Sequence, residues 1–430
     1  MTPLPRKLLI IGGGFAGLEC AHRLANDERF EIILVDRTNH HLFQPLLYQI
    51  ATASLAGPDI ARSIRQILAD AKNVTVLMDE IFSIDPAGKQ ARGRSGTLYP
   101  FDYLLLAAGA RTGYFGNDAW ADHSLGLKSL ADAQNIRRTV LSNLERAELT
   151  TDPAERKRLM TVAIVGGGPT GVELAGAFAD LVHRCLKSNF RRIDTSQLRV
   201  ILIEGSELIL EAYDPDQSAY ARKRLEKLGV EVRNNTRVTL VREGALEFKD
   251  GSVLEAAAII WAAGIAASPL TTSLGVPTDR AGRITPNPDL SVPGHPSIFL
   301  AGDLVSMKDT DGQSVPGVAP AAVQMGRHVA RVLKGELEDV PVRPHFDYFD
   351  KGMMAIIGKN YAVVKAGGFR LQGFLAWLAW LFIHITFLVG FRNKLSVLLG
   401  WAYSYIINNP EARIIVNPPT LPAPGKTPLS

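Results

Sequence analysis

Two glycine clusters have the clearest chemical capacity in this chain: Gly12-Gly13-Gly14-Phe15-Ala16-Gly17 and, 154 residues later, Gly166-Gly167-Gly168-Pro169-Thr170-Gly171. Glycines at this spacing receive a dinucleotide pyrophosphate. The first makes a tight turn, the second lets the backbone approach the phosphates, and the third lets the next helix pack against its strand. That helix presents unpaired N–H groups and the positive end of its dipole to the anion. Each cluster is followed by an acid that can accept from a ribose diol, Asp36 lying 22 residues after Gly14 and Glu204 lying 36 after Gly168. Residues 182 to 197, a polar insertion, account for the longer spacing. Asp36 favours an unphosphorylated ribose in the first site. In the second, Glu204 repels a 2′-phosphate and the following Gly205 and Ser206 supply no cation, so NADH is expected over NADPH.

The elements that must position these residues are legible around them. An apolar, β-branched run precedes each cluster, Lys7 to Ile11 and Thr161 to Val165, and a helical pattern follows it. A second marker repeats almost in step: Leu104-Leu105-Leu106-Ala107-Ala108-Gly109 returns 155 residues on as Ile259-Ile260-Trp261-Ala262-Ala263-Gly264. Two markers at nearly one offset predict an α/β chain with two Rossmann-like dinucleotide-binding domains. The spacing predicts strands at Glu31–Val35 and Val230–Arg233, helices at Ser129–Glu148 and Asp214–Gly229, a hairpin at Arg237–Gly251, and a small antiparallel ribbon from Val74 to Tyr99. Ser297 to Asp303 reads as a buried strand ending in an acid, and a further helix starts near Pro320, since proline suits a first helical turn. The apolar stretch Asn39 to Gln49 is open to two readings, a wall beside a flat aromatic cofactor or a hydrophobic plug.

Composition sets limits on function. The chain has 430 residues, 47% hydrophobic and 21% charged, which fits two or three globular domains and excludes wholesale disorder. Its net charge of +4 sits in the tail, where Arg370, Arg392, Lys394, Arg413 and Lys426 face one acid, Glu411. The near-neutral body argues against nucleic-acid binding, and the basic tail suits an anionic membrane surface. Cys20 and Cys185 form no C-x-x-C pair, so neither a redox disulfide nor a metal site is expected; both read as buried small hydrophobes within helices. The first strand begins almost at once, so no leader is expected.

Leu371 to Phe391 runs 21 residues without a charge, long enough for a transmembrane helix, but the next apolar run, Leu395 to Ile407, has only 13 residues. Lys365, Arg370, Arg392 and Lys394 bracket the first run, and Trp377, Trp380 and Trp401 suggest an interfacial belt. The favoured reading is a pair of amphipathic anchoring helices lying in one leaflet; a true span and a homodimer interface are the alternatives. His384 is expected on the polar upper face, and Asn417 to Ser430 as a disordered end.

With these features the chain resembles the two-dinucleotide-binding-domain flavoprotein reductases of glutathione-reductase-like fold. Within them it is most similar to the type II NADH:quinone oxidoreductases. The resemblance rests on Phe43-Gln44-Pro45-Leu46-Leu47-Tyr48, Glu173, Val318 to Gln324, Lys351-Gly352-Met353-Met354-Ala355 and the apolar tail, and covers residues 7 to about 410. That family often carries Ala-Gln-x-x-x-Gln before the last helix of the body; here Pro320 replaces the first glutamine and Gln324 keeps the second.

The resemblance implies FAD-binding segments at 1–115 and 288–345, an inserted NADH-binding domain at 116–287, and a membrane-anchor region from 346 to 430. It implies a non-proton-pumping enzyme at the cytoplasmic face of the inner membrane that passes hydride from NADH to FAD and two electrons to a membrane quinone. Gly12, Gly14, Gly17, Asp36, Pro45, Gly109, Gly302, Asp303 and Ala321 would hold FAD; Gly166, Gly168, Gly171, Glu204 and Gly264 would hold NADH. Gln324 would contact quinone, and Lys351 would neutralise reduced quinone oxygen or be a solvated charge. Glu173 would orient the nicotinamide or relay a proton; alternatively, like Glu19 in the first copy, it is a first-turn carboxylate favoured by the helix dipole. A soluble NADH oxidase or ferredoxin reductase, or a redox sensor without turnover, shares the fold. Sulfide:quinone chemistry needs a cysteine pair that two distant cysteines do not supply.

Overall fold

The computed structural model describes residues 4–182, 189–338, 342–407 and 413–415. The chain opens with β1 (Arg6–Ile11), α1 (Phe15–Arg23), β2 (Phe30–Asp36), β3 (Val74–Met78) and β4 (Tyr103–Leu106). α2 (Leu130–Leu149) leads to a second unit of β5 (Thr161–Val165), α3 (Pro169–Asp180), β6 (Arg199–Ile203), α4 (Pro215–Lys227), β7 (Val230–Arg233) and β8 (Ala258–Trp261). The chain then returns through β9 (Ser291–Val292), β10 (His295–Leu300) and α5 (Ala319–Glu336). It ends in β11 (Met353–Ile356), β12 (Ala362–Ala366), β13 (Phe369–Gly373) and two helices, α6 (Phe374–Phe387) and α7 (Phe391–Ile407).

The two units repeat one topology. The first sheet has strand order β9-β10-β4-β1-β2-β3 and the second β7-β6-β5-β8. In each, the strand before the glycine turn pairs in parallel with both neighbours, Ile10 lying opposite Leu34 and Leu105, and Ile164 opposite Leu202 and Ile260. Strands covered on both faces read as continuous apolar runs, and Ile10, Leu34, Leu105, Ile164 and Leu202 are fully buried. Val74 to Met78 joins the first sheet beside β2. The ribbon expected from Val74 onward therefore begins later, as strands Ile81–Asp85, Gln90–Gly93 and Leu98–Pro100. α2 starts on a capping box, Ser129 accepting from Asp132 N–H and the Asp132 carboxylate accepting from Ser129 N–H.

Two antiparallel strands tie the units together, Ala110–Thr112 pairing with Ile265–Ala267. Cys20 is fully buried, as its apolar setting required; Cys185, part of the insertion 182 to 197 and Asn417 to Ser430 lie outside the described residues.

The tail departs from the long apolar run in an instructive way. Its first residues are spent on β13, and Gly373 (φ 83°) and Gly390 (φ 90°) turn the chain where a single helix would have continued. The 14 residues of α6 reach only about 21 Å, against about 30 Å of hydrocarbon. Among the described residues no helix is long and apolar enough to cross a membrane. α6 and α7 instead dock on the body. Asn393 Nδ2 donates to the Pro58 and Asp59 carbonyls, both at 3.1 Å, and Ser396 Oγ to the Asp59 carboxylate at 2.7 Å. On the other side Asp214 pairs with Lys365 at 3.0 Å and Arg370 at 2.6 Å.

Candidate functional site

Both glycine turns have the geometry that a pyrophosphate requires. Gly12 and Gly166 adopt φ of 106° and 113°, closed to side chains, and a Cβ at Gly12 would lie 2.3 Å from the Ala107 carbonyl oxygen. At the third glycine a Cβ would approach the first glycine's carbonyl oxygen to 2.0 Å (Gly17) or 1.9 Å (Gly171), so only glycine lets the helix sit this close. At the second, Gly14 and Gly168, a Cβ would meet nothing within 4 Å. The backbone there is bare and open on the side where phosphate would approach, so the residues present fit a dinucleotide at both turns.

The two acids expected to face a ribose are held alike. Asp36 accepts from Gly13 N–H at 2.7 Å and from Thr38 N–H and Oγ1 at 2.7 and 2.8 Å. Glu204 accepts from Gly167 N–H at 2.6 Å and Ser206 N–H at 2.7 Å. Each acid thus braces the turn it follows, and Arg233, whose carbonyl accepts from Glu204 N–H at 2.8 Å, has its side chain bonded to Glu231 at 2.6 Å.

At the other edge of the first site, Gly302 (φ 76°) turns β10 into a short helical turn carrying Asp303. α5 begins behind it with Pro320 in its first turn and Val318 as cap; the Val318 carbonyl accepts from both Ala321 and Ala322 N–H at 3.1 Å. A Cβ at Gly326 would come within 2.1 Å of the Ala16 carbonyl oxygen, which is how closely α5 packs on α1 beneath the turn. The stretch Asn39 to Gln49 is a short strand, a 3-10 turn over Gln44–Leu46 and the helix Leu47–Ala51. Phe43, Leu46, Leu47 and Tyr48 are buried, Phe43 edge-on to Phe15 at 6.0 Å between centroids. Gly109 (φ 65°) and Gly264 close the β4 and β8 ends; Gly113 N–H donates to the Gly264 carbonyl at 3.1 Å, and a Cβ at Gly264 would lie 2.9 Å from the Gly113 oxygen.

One segment, Phe349 to Ile356, connects the three residues expected to act on substrate. Gln324 on α5 clasps its start, donating Nε2 to the Phe349 carbonyl at 2.9 Å and accepting from Phe349 N–H at 3.0 Å. Lys351 follows, exposed, its Nζ 5.2 Å from the centre of the Phe387 ring on α6. At the far end Ile356 N–H reaches the Glu173 carboxylate at 3.5 Å. The Gln324 amide therefore has one N–H left for any further partner.

The structure separates Glu173 from its counterpart Glu19. Neither helix carries an acid in its first turn, so the dipole account fails for both. Glu19 is an ion-paired carboxylate, bonded to Arg23 at 2.9 Å and Arg327 at 3.1 Å. Glu173 has no cation partner among the described residues; burial pushes its pKa up to about 8, opposed by the Ile356 hydrogen bond. It is therefore mostly protonated at neutral pH. Tyr213 lies close enough for the Glu173 charge to raise its own pKa, and its buried hydroxyl has no hydrogen-bond partner among the described residues. No sequence periodicity marked Tyr213, because the loop before α4 brings it there. Lys128 was missed likewise: burial lowers its pKa while Asp303 opposes the shift.

Two expectations for the tail are corrected. Trp377, Trp380 and Trp401 are all buried against the body, Trp401 Nε1 donating to Gln49 Oε1 at 2.8 Å, so they form no interfacial belt. His384 turns inward, stacked on Trp380 at 4.0 Å with Nδ1 2.8 Å from the Trp380 carbonyl; burial lowers its pKa to about 4. The outward face is carried instead by Phe374, Leu375, Phe382 and Leu399, exposed by 54, 66, 74 and 59%.

Two dinucleotide cradles in tandem, joined by paired strands with the chain returning to complete the first, define a pyridine-nucleotide reductase of the two-domain flavoprotein class. The family model described as pyridine nucleotide-disulphide oxidoreductase matches residues 6–326. A type II NADH:quinone oxidoreductase of Mycobacterium tuberculosis is 41% identical over 417 residues, 94% of this chain and 89% of the relative. The demethylphylloquinone reductase of a Synechocystis species is 29% identical, covering 93% of this chain and 96% of its own length. The NDH2 structure from Plasmodium falciparum, determined with NADH, superposes with a TM-score of 0.87 at 20% identity, covering 96% of this chain and all of that one. The chain belongs to the type II NADH:quinone oxidoreductases.

Proposed function

We propose that this protein oxidises NADH at the second glycine turn and delivers two electrons through FAD, held at the first, to a membrane quinone, without proton pumping. Bound FAD supplies hydride acceptance and two-electron transfer; the protein's residues bind, orient and handle protons. Gly12, Gly14, Gly17 and Asp36 would hold the FAD pyrophosphate and ribose, Asp303 its ribityl chain, and Pro45, Gly109, Gly302 and Ala321 its surroundings. Gly166, Gly168, Gly171, Glu204 and Gly264 would hold NADH. The FAD part would comprise 1–115 and 288–345, the NADH part 116–287, and the membrane part 346–430.

The observation that carries the quinone end is the Phe349–Ile356 segment, which touches Gln324, bears Lys351 against α6 and meets Glu173. Glu173, protonated at neutral pH, can hold the proton a reduced quinone needs while remaining close enough to its pKa to release it. Lys351 can neutralise charge on a quinone oxygen, and the last Gln324 N–H can orient the ring. α6 and α7 would lie in one leaflet, their apolar faces inserted and Arg370, Arg392 and Lys394 meeting anionic headgroups. Anionic lipid marks the cytoplasmic leaflet, which supports a peripheral place on the cytoplasmic face of the inner membrane. The same exposed face supports a second reading, pairing of two copies through their tails.

NADH oxidation by the purified protein, with a soluble quinone, with oxygen alone and with no acceptor, tests the central reading. Rates at least tenfold higher with quinone are expected; equal rates would reject it. Flotation with anionic vesicles, beside sedimentation equilibrium without lipid, decides between leaflet and partner copy.

A further inference from the structure

Leu125 to Lys128 crosses from one nucleotide unit to the other. Leu125 extends the edge of β8, its N–H donating to the Ile259 carbonyl and its own carbonyl accepting from Trp261 N–H, both at 2.8 Å. Three residues on, Lys128 is pinned between the start of α2 and the first unit. Its N–H donates to the Asp132 carboxylate at 3.0 Å, and its carbonyl accepts from Gln44 Nε2 at 3.4 Å, on the turn that carries Pro45. The capping box at Ser129 fixes the direction in which the chain leaves.

The side chain starts from this doubly tied backbone and is half-buried. Asp303, just past the end of β10, acts on its charge, yet Nζ forms no hydrogen bond or ion pair among the described residues. Burial works against the ammonium, and Asp303 supports it electrostatically. A half-buried cation without a direct partner among the described residues, on a backbone held between the β8 edge and the Pro45 turn and influenced by Asp303, acts on any charge that forms beside it.

We propose that Lys128 supplies the positive charge beside the flavin ring that stabilises its reduced, anionic form. The inference rests on FAD occupying the first site. Reduction adds negative charge to the ring, so a fixed cation favours the reduced state over the oxidised and raises the two-electron potential. Lys128 would tune the flavin and would leave pyrophosphate binding to the glycine turn.

The test uses FAD-loaded protein, as wild type, Lys128→Met, Lys128→Gln and Lys128→Arg, in spectroelectrochemical titrations with added FAD, with FAD content and urea unfolding measured alongside. Removal of the charge should weaken binding of reduced relative to oxidised flavin at least tenfold, which is a fall of about 30 mV in a two-electron potential. Lys128→Arg should keep the wild-type potential. Lys128→Gln covers the case in which methionine loses the cofactor. An unchanged potential in either neutral variant with FAD in place overturns the inference, and lower stability with that unchanged potential makes Lys128 a structural partner of Asp303. A wild-type protein that takes up no FAD overturns the cofactor reading itself, and this inference with it.

Discussion

Replacing Glu173 by Gln gives the sharpest test of the site, because Gln keeps the shape and cannot ionise. The Glu173 carboxyl titrates near 8 in the folded protein and near 4.5 when unperturbed. Between those values the native state binds more protons than the unfolded chain, so wild-type stability falls as pH rises through the window. Glu173→Gln escapes that loss. Its advantage should be near zero below pH 4.5, grow by up to about 1.4 kcal/mol per pH unit, and level off above pH 8. At pH 7 the upper bound is about 3 kcal/mol; the side chain is only partly buried, which brings the expected value to roughly 1–2 kcal/mol. Urea unfolding of the FAD-loaded protein from pH 5 to 9 measures this directly. Steady-state kinetics on the same samples should show turnover with quinone falling more than NADH affinity. A stability difference that does not change with pH would refute the burial argument, and unchanged turnover would remove the proton-handling role.

Other outcomes follow from the same geometry. Gly17→Ala forces a Cβ to 2.0 Å from the Gly12 oxygen and Gly171→Ala one to 1.9 Å from the Gly166 oxygen; the first should lose yellow FAD absorbance, the second should keep it but lose NADH binding in fluorescence titration, each by roughly 2 kcal/mol or more. Glu204→Ala removes the charge that repels a 2′-phosphate, and the NADPH to NADH ratio of kcat/KM should rise about tenfold. Phe382→Glu, on the outward face of α6, should reduce flotation with anionic vesicles by roughly 2 kcal/mol or more of partitioning while leaving turnover with soluble quinone intact. Gly326→Val would drive a side chain into the Ala16 carbonyl and should lower the unfolding midpoint by roughly 3 kcal/mol of stability, with FAD release tracking unfolding.

Much of this was readable without coordinates because dinucleotide binding is a local backbone problem. Three glycines, a preceding apolar strand and an acid after the next strand lie on a short stretch of chain, and every constraint on them is written in residue type. That is why the two glycine turns, the sheets that carry them and the return of the chain to the first sheet at β10 agree with the sequence. The run from Leu371 to Phe391 shows the limit: hydropathy counts apolar residues but not where Gly373 and Gly390 bend the chain, so it suggests a span where the fold makes a strand and a short helix. The tryptophans there looked interfacial by type, and only packing decided that they face the body.

The difference between Glu19 and Glu173 belongs mostly to tertiary structure. Both occupy the same place after a glycine turn, and their local sequence differs in one respect, Arg23 standing four residues after Glu19 where Ala177 follows Glu173. Arg327, which lies 308 residues from Glu19, gives that acid a second cation, whereas β11 offers Glu173 a single weak donor, the Ile356 N–H. Sequence alone determined that this chain has two glycine-turn cradles and which acid follows each. The folded chain decided which carboxyl keeps its proton, because desolvation depends on what packs against a group rather than on its neighbours in the chain.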